Sequence, residues 1–502
     1  MPEASNLISC DFRRLWHHKV IPSPLYAALV AFFAIILLSN DCDASLYQQG
    51  RALYNKKKYN QAKEILLQAA EREGSGNALY FIGEIEKAKG NIRDAEGYYR
   101  AAIEKKAIDR QYLVNAYWNA LLIAEQRNDY EAVADTCLAM WKRTGDAGAK
   151  RKIESTINKF LWSDNADAVQ QYQEGIEAKI RGAAADAQKK FRSAISLDPS
   201  FLAPRFELGM AAYSQGDSEQ AAGYLEDVAN RIPFYADVNL VMGDIQFARR
   251  SYRQAIPYFD RYLRFGFLTP DADCRARIKR ATCSYHVGEY DGAESDIKRA
   301  LAHDPASLDA LLLWSALKVK TNREPEAITI LERAQAKHPD SPEVIYQMGS
   351  IYYRKGNEDY VRCFERLYSM EGQKNDIPPR YQKAFFILAK SRYEKGNYEQ
   401  ALAVLKSIDE KSRTFEVRLL AGKALMQLKR YDEAILELES ISAKGEDRYL
   451  LCRAYALSGR REKAKQLLSE LSALGDYLTR AKSDPALADI ARELGESSGR
   501  KD

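Results

Sequence analysis

A small residue followed twelve positions later by an alanine recurs along nearly the whole chain, and no other feature constrains the fold as tightly. Glycine and alanine fill the two slots at Gly50 and Ala62, Gly83 and Ala95, Gly175 and Ala187, Gly209 and Ala221, Gly243 and Ala255, and Gly422 and Ala434. Five further units keep the alanine and place Ala120, Ala281, Ser315, Ala389 or Cys452 in the first slot. Successive units are often 33 or 34 residues apart; the unit at Gly349 is one residue short, so Tyr360 stands where alanine is expected. A repeat of this length cannot bury its apolar face alone, so the units must stack on one another into an array.

Each slot has a physical reason. Small side chains in two helices let their backbones approach closely, and a large residue four positions past the alanine, as at Tyr99, Phe191 and Phe259, lies one turn further along the same face and fills the space behind. Proline follows the alanine by twelve at Pro199, Pro233, Pro305 and Pro339, where it stops the second helix. The pattern resembles the tetratricopeptide repeat, whose 34-residue unit is two antiparallel helices, and the resemblance covers about 430 of the 502 residues. It implies an all-α fold, an α-solenoid of about twelve antiparallel helix-pair repeats. Composition agrees: 27 glycines and 15 prolines are about 8% of the chain, against roughly 12% in average usage, and 46% apolar residues exclude disorder for most of it.

The register divides the chain. Residues 45–145 carry three repeats and 168–474 nine, with the spacing between Ala132 and Ala187 stretched to 55. Inside that stretch Ile153, Ile157, Phe160 and Leu161 predict one amphipathic helix within an irregular linker, 146–167, flanked by loops at Thr144 to Ala149 and Ser163 to Ala166. Past the last repeat, Asp484 and Pro485 open a capping helix, Ala486 to Leu494, in a terminal region of 475–502 whose tail from Gly495 is expected to be disordered.

The first 44 residues differ in kind. Arg13, Arg14 and Lys19 precede an unbroken apolar run, Leu25 to Leu38, with Asp41 and Asp43 after it. Fourteen helical residues span about 21 Å, short of the ~30 Å hydrocarbon core, which suits a secretory signal cleaved after Ala44. Val20 and Ile21 extend the run toward an uncleaved anchor over residues 20–38, and both readings stand. Either way the charge asymmetry puts the N-terminus inside and the body outside the cytoplasm, and the economical signal points to a bacterial-type cell envelope, with the body on the periplasmic side of the inner membrane. Cys42 as an acylated lipoprotein cysteine is disfavoured by Asn40 and Asp41 before it.

No catalytic chemistry is legible. The chain has no GxGxxG, P-loop, GxSxG, HExxH or EF-hand pattern, and no cofactor or metal is expected. Seven cysteines without CxxC spacing read as packing residues. Of the histidines outside the N-terminal pair His17 and His18, namely His286, His303 and His338, only His286 lies near a cysteine, Cys283, and that pair needs further ligands from elsewhere to hold a metal. With 75 Lys and Arg against 70 Asp and Glu, the net charge of +5 gives no electrostatic footprint for nucleic acid, which also speaks against a helical-repeat reader of single-stranded RNA.

The expected function is that of a non-enzymatic interaction scaffold holding a protein or peptide partner in the concave groove of its first helices. Self-association as a structural protein and service as a regulatory subunit in envelope-polymer metabolism are the alternatives. Two slots point to the groove. Three residues before the glycine slot stand Tyr47, Tyr80, Tyr117, Tyr172, Phe206, Tyr346, Phe386 and Tyr449 among aliphatic counterparts, and four after it Tyr54, Tyr213, Phe247, Tyr285, Tyr353 and Tyr393. Seven residues apart on one helix face, they form either an aromatic ladder for peptides or packing between repeats. One residue past the slot, the last three repeats place Lys390, Lys423 and Arg453, a cation row suited to an acidic partner, with Tyr393, Tyr449, Tyr346 and Tyr353 as apolar partners. The competing reading is a solvated face neutralised by Glu394, Glu416 and Glu446. The lysine, asparagine and arginine slots by which relatives capture the C-terminal carboxylate of heat-shock chaperones are not matched, since the first of them is aromatic or aliphatic throughout.

Overall fold

Side-chain caps and prolines set the limits of many helices in the computed structural model, which describes residues 45–374, 377–441 and 445–498. Ser75, Asp129, Asn165, Asp217, Thr269 and Ser341 each accept a hydrogen bond from a first-turn backbone N–H, satisfying one of the donors a helix leaves open at its start. The second helices before Pro199, Pro233, Pro305 and Pro339 end at Leu197, Arg231, His303 and Lys337, each two residues ahead of the proline, as the sequence predicts.

The helices run in antiparallel pairs. The first three pairs are α1 (Leu46–Asn55) with α2 (Tyr59–Arg72), α3 (Gly76–Ala88) with α4 (Ile92–Glu104), and α5 (Arg110–Gln126) with α6 (Tyr130–Thr144). A single helix, α7 (Ala147–Leu161), follows, then α8 (Ala166–Ile180) with α9 (Ala184–Leu197) and α10 (Leu202–Ser214) with α11 (Ser218–Arg231). Next come α12 (Ala236–Ala248) and α13 (Tyr252–Phe265). Beyond them lie α14 (Pro270–Val287) with α15 (Tyr290–His303), α16 (Leu308–Lys320) with α17 (Glu324–Lys337), and α18 (Pro342–Arg354) with α19 (Asp359–Glu371). The last pairs are α20 (Pro379–Glu394) with α21 (Tyr398–Lys406), α22 (Phe415–Gln427) with α23 (Tyr431–Glu439), and α24 (Glu446–Leu457) with α25 (Arg461–Ser472). No strand occurs among the described residues, and the fold is an α-solenoid of helix-pair repeats.

The small slots do what their spacing implies. A methyl group added at Gly83 would lie 2.7 Å from the Tyr99 ring, so the buried tyrosine of α4 occupies the space glycine leaves on α3. Gly175 meets Phe191 and Gly209 meets Leu225 in the same way, and the alanine slots are buried except Ala132, which is half-buried beside buried Val133 and Ala134. In the short repeat Gly349 still meets its ring, Phe364, fifteen rather than sixteen residues on, with Tyr360 half-buried at the start of α19.

All twelve turns inside the pairs contain one residue with positive φ. Glycine takes the position in seven of them, for instance Gly90 at φ 79°, while Lys57, Asn128, Arg250, Asn322 and Lys429 take it in the others. The left-handed conformation costs a residue with a Cβ roughly 1 kcal/mol more than glycine, so the turn geometry is imposed by the pair and not by its local sequence.

The chain resolves into two compact units, residues 45–245 with 260–267, and residues 246–259 with 268–498. The boundary falls in α12 and α13, not in the 146–167 stretch expected as a linker. That stretch is built into the first unit: α7 buries Ile153, Thr156 and Leu161, and its Phe160 ring packs edge-on against Tyr130 and Phe234 at centroid distances of 4.8 and 5.7 Å. The second unit ends differently from expectation too. The region after α25 forms two helices, α26 (Tyr477–Ser483) and α27 (Ala488–Ser498), so the final helix starts two residues later than predicted and runs through Gly495 to Ser498. Asp484 ends α26 and also leads into the last helix, its Oδ1 accepting from the Ala486 N–H at 3.0 Å and its carbonyl from the Ala488 N–H at 2.8 Å. No described helix is long and apolar enough to cross a membrane, and the apolar run 25–38 lies outside the described residues.

Candidate partner-binding face

The aromatic slots are used mainly for packing. The ring three residues before the small slot meets an aromatic side chain from the next first helix: Tyr80 stacks on Tyr112 at 5.2 Å, Phe206 on Tyr235 at 5.2 Å, and Tyr346 meets Tyr381 at 5.4 Å. Tyr47 reaches Phe81, Tyr172 reaches Phe201, and Tyr449 reaches Tyr477. The ring four residues after the slot instead meets a tyrosine near the start of the second helix of its own repeat. Such pairs are Tyr54 with Tyr59, Phe247 with Tyr252, Tyr285 with Tyr290, Tyr353 with Tyr360 and Tyr393 with Tyr398. One slot therefore joins repeats to each other, and the other pins the turn within a repeat. Tyr353 alone of the named rings remains well exposed, at 43%.

The cation row is unevenly committed. Lys390, on α20, keeps 56% of its side chain exposed and has Glu394, one of the carboxylates expected to neutralise the row, at 3.9 Å. Lys423, on α22, is half-buried with no carboxylate paired to it among the described residues. Arg453, on α24, is held by a partner the sequence did not nominate: its Nε lies 2.9 Å from Asp484 Oδ2, in the segment that ends α26. The same carboxylate accepts a hydrogen bond from Tyr449 Oη at 3.1 Å, and burial together with that negative charge pushes the Tyr449 hydroxyl pKa up. Arg480 lies over the Tyr449 ring at 4.6 Å and pairs with Glu446, one of the three carboxylates expected to neutralise the cation row. The C-terminal helices thus draw Tyr449 and Arg453 into the cap. Lys390, Lys423, Tyr393 and Tyr353 are left on α18, α20 and α22.

Two features of the first unit were not expected. On α3 Glu84 accepts hydrogen bonds from Tyr99 Oη at 2.6 Å and Asn119 Nδ2 at 2.8 Å, giving that face a polar chain completed by Lys87 on Asn119. At the end of α7, Trp162 stands half-exposed over a cleft of about 450 Å³ lined with Leu161, Tyr172, Ala203, Ser155, Asn158 and Lys159. The sequence signal was a tryptophan directly after the amphipathic helix, which ends without a second helix to cover it.

Burial pushes the thiols of Cys137, Cys283 and Cys452 up to about 12, and those of Cys274 and Cys363 in the same direction, so these are unreactive packing groups. Cys283 and His286 do not converge on a ligand, since Cys283 is buried and the His286 ring stacks on Tyr252 at 4.2 Å. No group of metal-ligating side chains occurs among the described residues.

Models of the tetratricopeptide repeat match residues 47–112, 172–236, 206–273 and 285–351, and a model of subunit 3 of the anaphase-promoting complex (cyclosome) matches 363–441. Over 278 residues, 53% of this chain, the sequence is 19% identical to the CTR9 homolog protein of Arabidopsis thaliana, and the match spans only 25% of that protein's length. Among solved structures, yeast Tom70 is similar at 16% identity, covering 89% of this chain and 98% of that one, with a TM-score of 0.34. A repeat protein from Parabacteroides merdae is similar at 18% identity, covering 50% and 97%, with a TM-score of 0.35.

Proposed function

The chain belongs to the tetratricopeptide repeat family, and from that premise we propose that it is a non-enzymatic scaffold of the cell envelope, holding an acidic protein or peptide segment on the first helices of its second unit. The observation that carries this reading is the state of Lys390 and Lys423: equivalent positions on two neighbouring first helices, one largely exposed and the other without a paired carboxylate among the described residues. Tyr353, exposed, and Tyr393, half-buried, supply apolar surface on the same series of helices. Adjacent first helices stand about 10 Å apart, so the two cations match charges spaced along an extended peptide better than one small anion. Arg453 and Tyr449, engaged with Asp484, are the end of the binding row and not part of its contact surface.

Replacing Lys390 and Lys423 by serine and Tyr353 by alanine tests this directly. Partner capture is measured at two salt concentrations, because exposed charges are screened over about 8 Å at physiological salt. Loss of capture and of its salt dependence, with helicity and melting unaltered, is the expected result. Unchanged capture with an unchanged salt slope removes the site. If the captured species is the chain itself, the groove serves self-association.

A further inference from the structure

The structure holds a second cationic surface, at the opposite end of the sequence, that this binding face does not use. Lys56, Lys57 and Lys58 form the turn between α1 and α2, all exposed. Lys89, from the α3–α4 turn, joins them by donating to Asn60 Oδ1 at 2.9 Å. Lys57, Lys58 and Lys89 line one shallow cleft of about 530 Å³ with Tyr59, Asn60 and Gln61. No carboxylate pairs with Lys56, Lys57 or Lys58 among the described residues. The nearby carboxylate Glu86 is taken by Lys63 at 2.9 Å and Asn91 at 2.7 Å.

The turns of the second unit differ in how their cations are grouped. There several turn cations are neutralised by carboxylates of the helix that follows or of a neighbouring repeat, Arg323 by Glu326, Arg430 by Glu433 and Arg460 by Asp432, and single lysines such as Lys355 and Lys429 stand without a paired carboxylate among the described residues, but none of these turns gathers three consecutive lysines. Helix α2 has no acidic residue in its first turn. Lys57 occupies the left-handed turn position, φ 61°, as Arg250 and Lys429 do in their own turns.

We propose that this cluster docks on the anionic headgroups of a lipid bilayer, close in sequence to the apolar run 25–38. Position favours lipid over an acidic peptide. Six residues separate Leu38 from Ser45, and α1 is ten residues long, which keeps the lysines within roughly 40 Å of the end of the apolar run. The cluster is open and shallow, shaped for a surface and not for an enclosed chain. An apolar run of fourteen residues is short for a span, and an apolar segment combined with a polybasic patch is a stable two-part attachment.

The inference rests on the reading of residues 25–38 as a membrane segment, and flotation of the full-length chain separates the two. Binding to pure phosphatidylcholine vesicles reports the apolar run; the increment on adding a quarter of phosphatidylglycerol reports the lysines. That increment is expected to be about tenfold or more at low salt and to vanish in the Lys56→Ser, Lys57→Gly, Lys58→Ser variant. It should return when the three lysines are replaced by arginine. An undiminished increment in the serine variant overturns the proposal, as does its absence from the native chain. So does capture of a polyglutamate peptide by the native chain and not by the variant without any response to the anionic lipid.

Discussion

The guanidinium of Arg264 grips the carboxylate of Asp135, 129 residues earlier, with Nη2 2.6 Å from Oδ2 and Nε 3.1 Å from Oδ1. Glu131 lies 3.2 Å from Nη1, and a few residues on Phe267 packs edge-on against Trp141 at 5.2 Å. These contacts tie residues 260–267 into the first unit. The pair is about half exposed, so a double-mutant cycle with Asp135→Asn and Arg264→Gln should give a coupling of only about 0.5–1 kcal/mol, falling as salt is added. A coupling near zero at low salt would show that the aromatic contact holds the segment unaided.

Repeat register has a sharper test. Ala221 is fully buried on α11, whereas Glu219, two residues before it, is exposed. Ala221→Lys forces a long cation into the helix crossing and should cost several kcal/mol, while Glu219→Lys stays within about 0.5 kcal/mol. Equal melting shifts would mean the register is wrong.

In the second unit the Lys318 ammonium is buried, 1% exposed, between Glu294 at 2.9 Å and Glu326 at 3.4 Å. Burial alone would raise the pKa of Glu294, but hydrogen bonds and charge from Lys298 and Lys318 outweigh it and bring the carboxyl down from 4.5 to about 2. Its stabilising contribution is therefore complete above pH 4.5 and is lost as pH falls through about 2. Glu294→Gln should flatten that part of the stability profile and destabilise at neutral pH by about 3 kcal/mol or somewhat less, because Glu326 remains. Lys318→Met, which removes the buried charge itself, should cost far less or even stabilise. Chemical denaturation of the two variants between pH 2 and 7 checks both statements.

How much of this was legible follows from the range of each interaction. The small slots, their rings and the terminating prolines act within one repeat, so a fixed spacing carried them, and Gly83 against Tyr99 is as the spacing implied. The five-residue interval of Tyr54 and Tyr59, repeated at Tyr285 and Tyr290 and at Tyr393 and Tyr398, was also in the sequence and marks those rings as turn-pinning. Left-handed turn positions were masked because lysine, arginine and asparagine replace glycine in five of the twelve. Arg264 with Asp135 and Arg453 with Asp484 join segments whose spacing follows no repeat, and no local pattern announces such pairs. Helix α26 went unseen because its polar residues, Thr479, Arg480 and Lys482, dilute the apolar periodicity of so short an element.

Placement in the envelope has an independent readout. A phosphatase reporter fused after Asp502, active only outside the cytoplasm, should be active, and a reporter that matures only in the cytoplasm should be silent. The reverse pattern would remove the envelope from the proposed function and leave the scaffold reading in place.

The central claim is that the partner lies on the first helices of the second unit. Photo-crosslinking in living cells addresses it most directly, with a photoreactive residue introduced singly at Tyr353, Lys390 and Lys423 and, as a control, at exposed Glu332 on the second helix α17. One discrete adduct of the same added mass from all three first-helix positions, absent from the control, is the result expected. An adduct from Glu332 with none from the other three would contradict the claim.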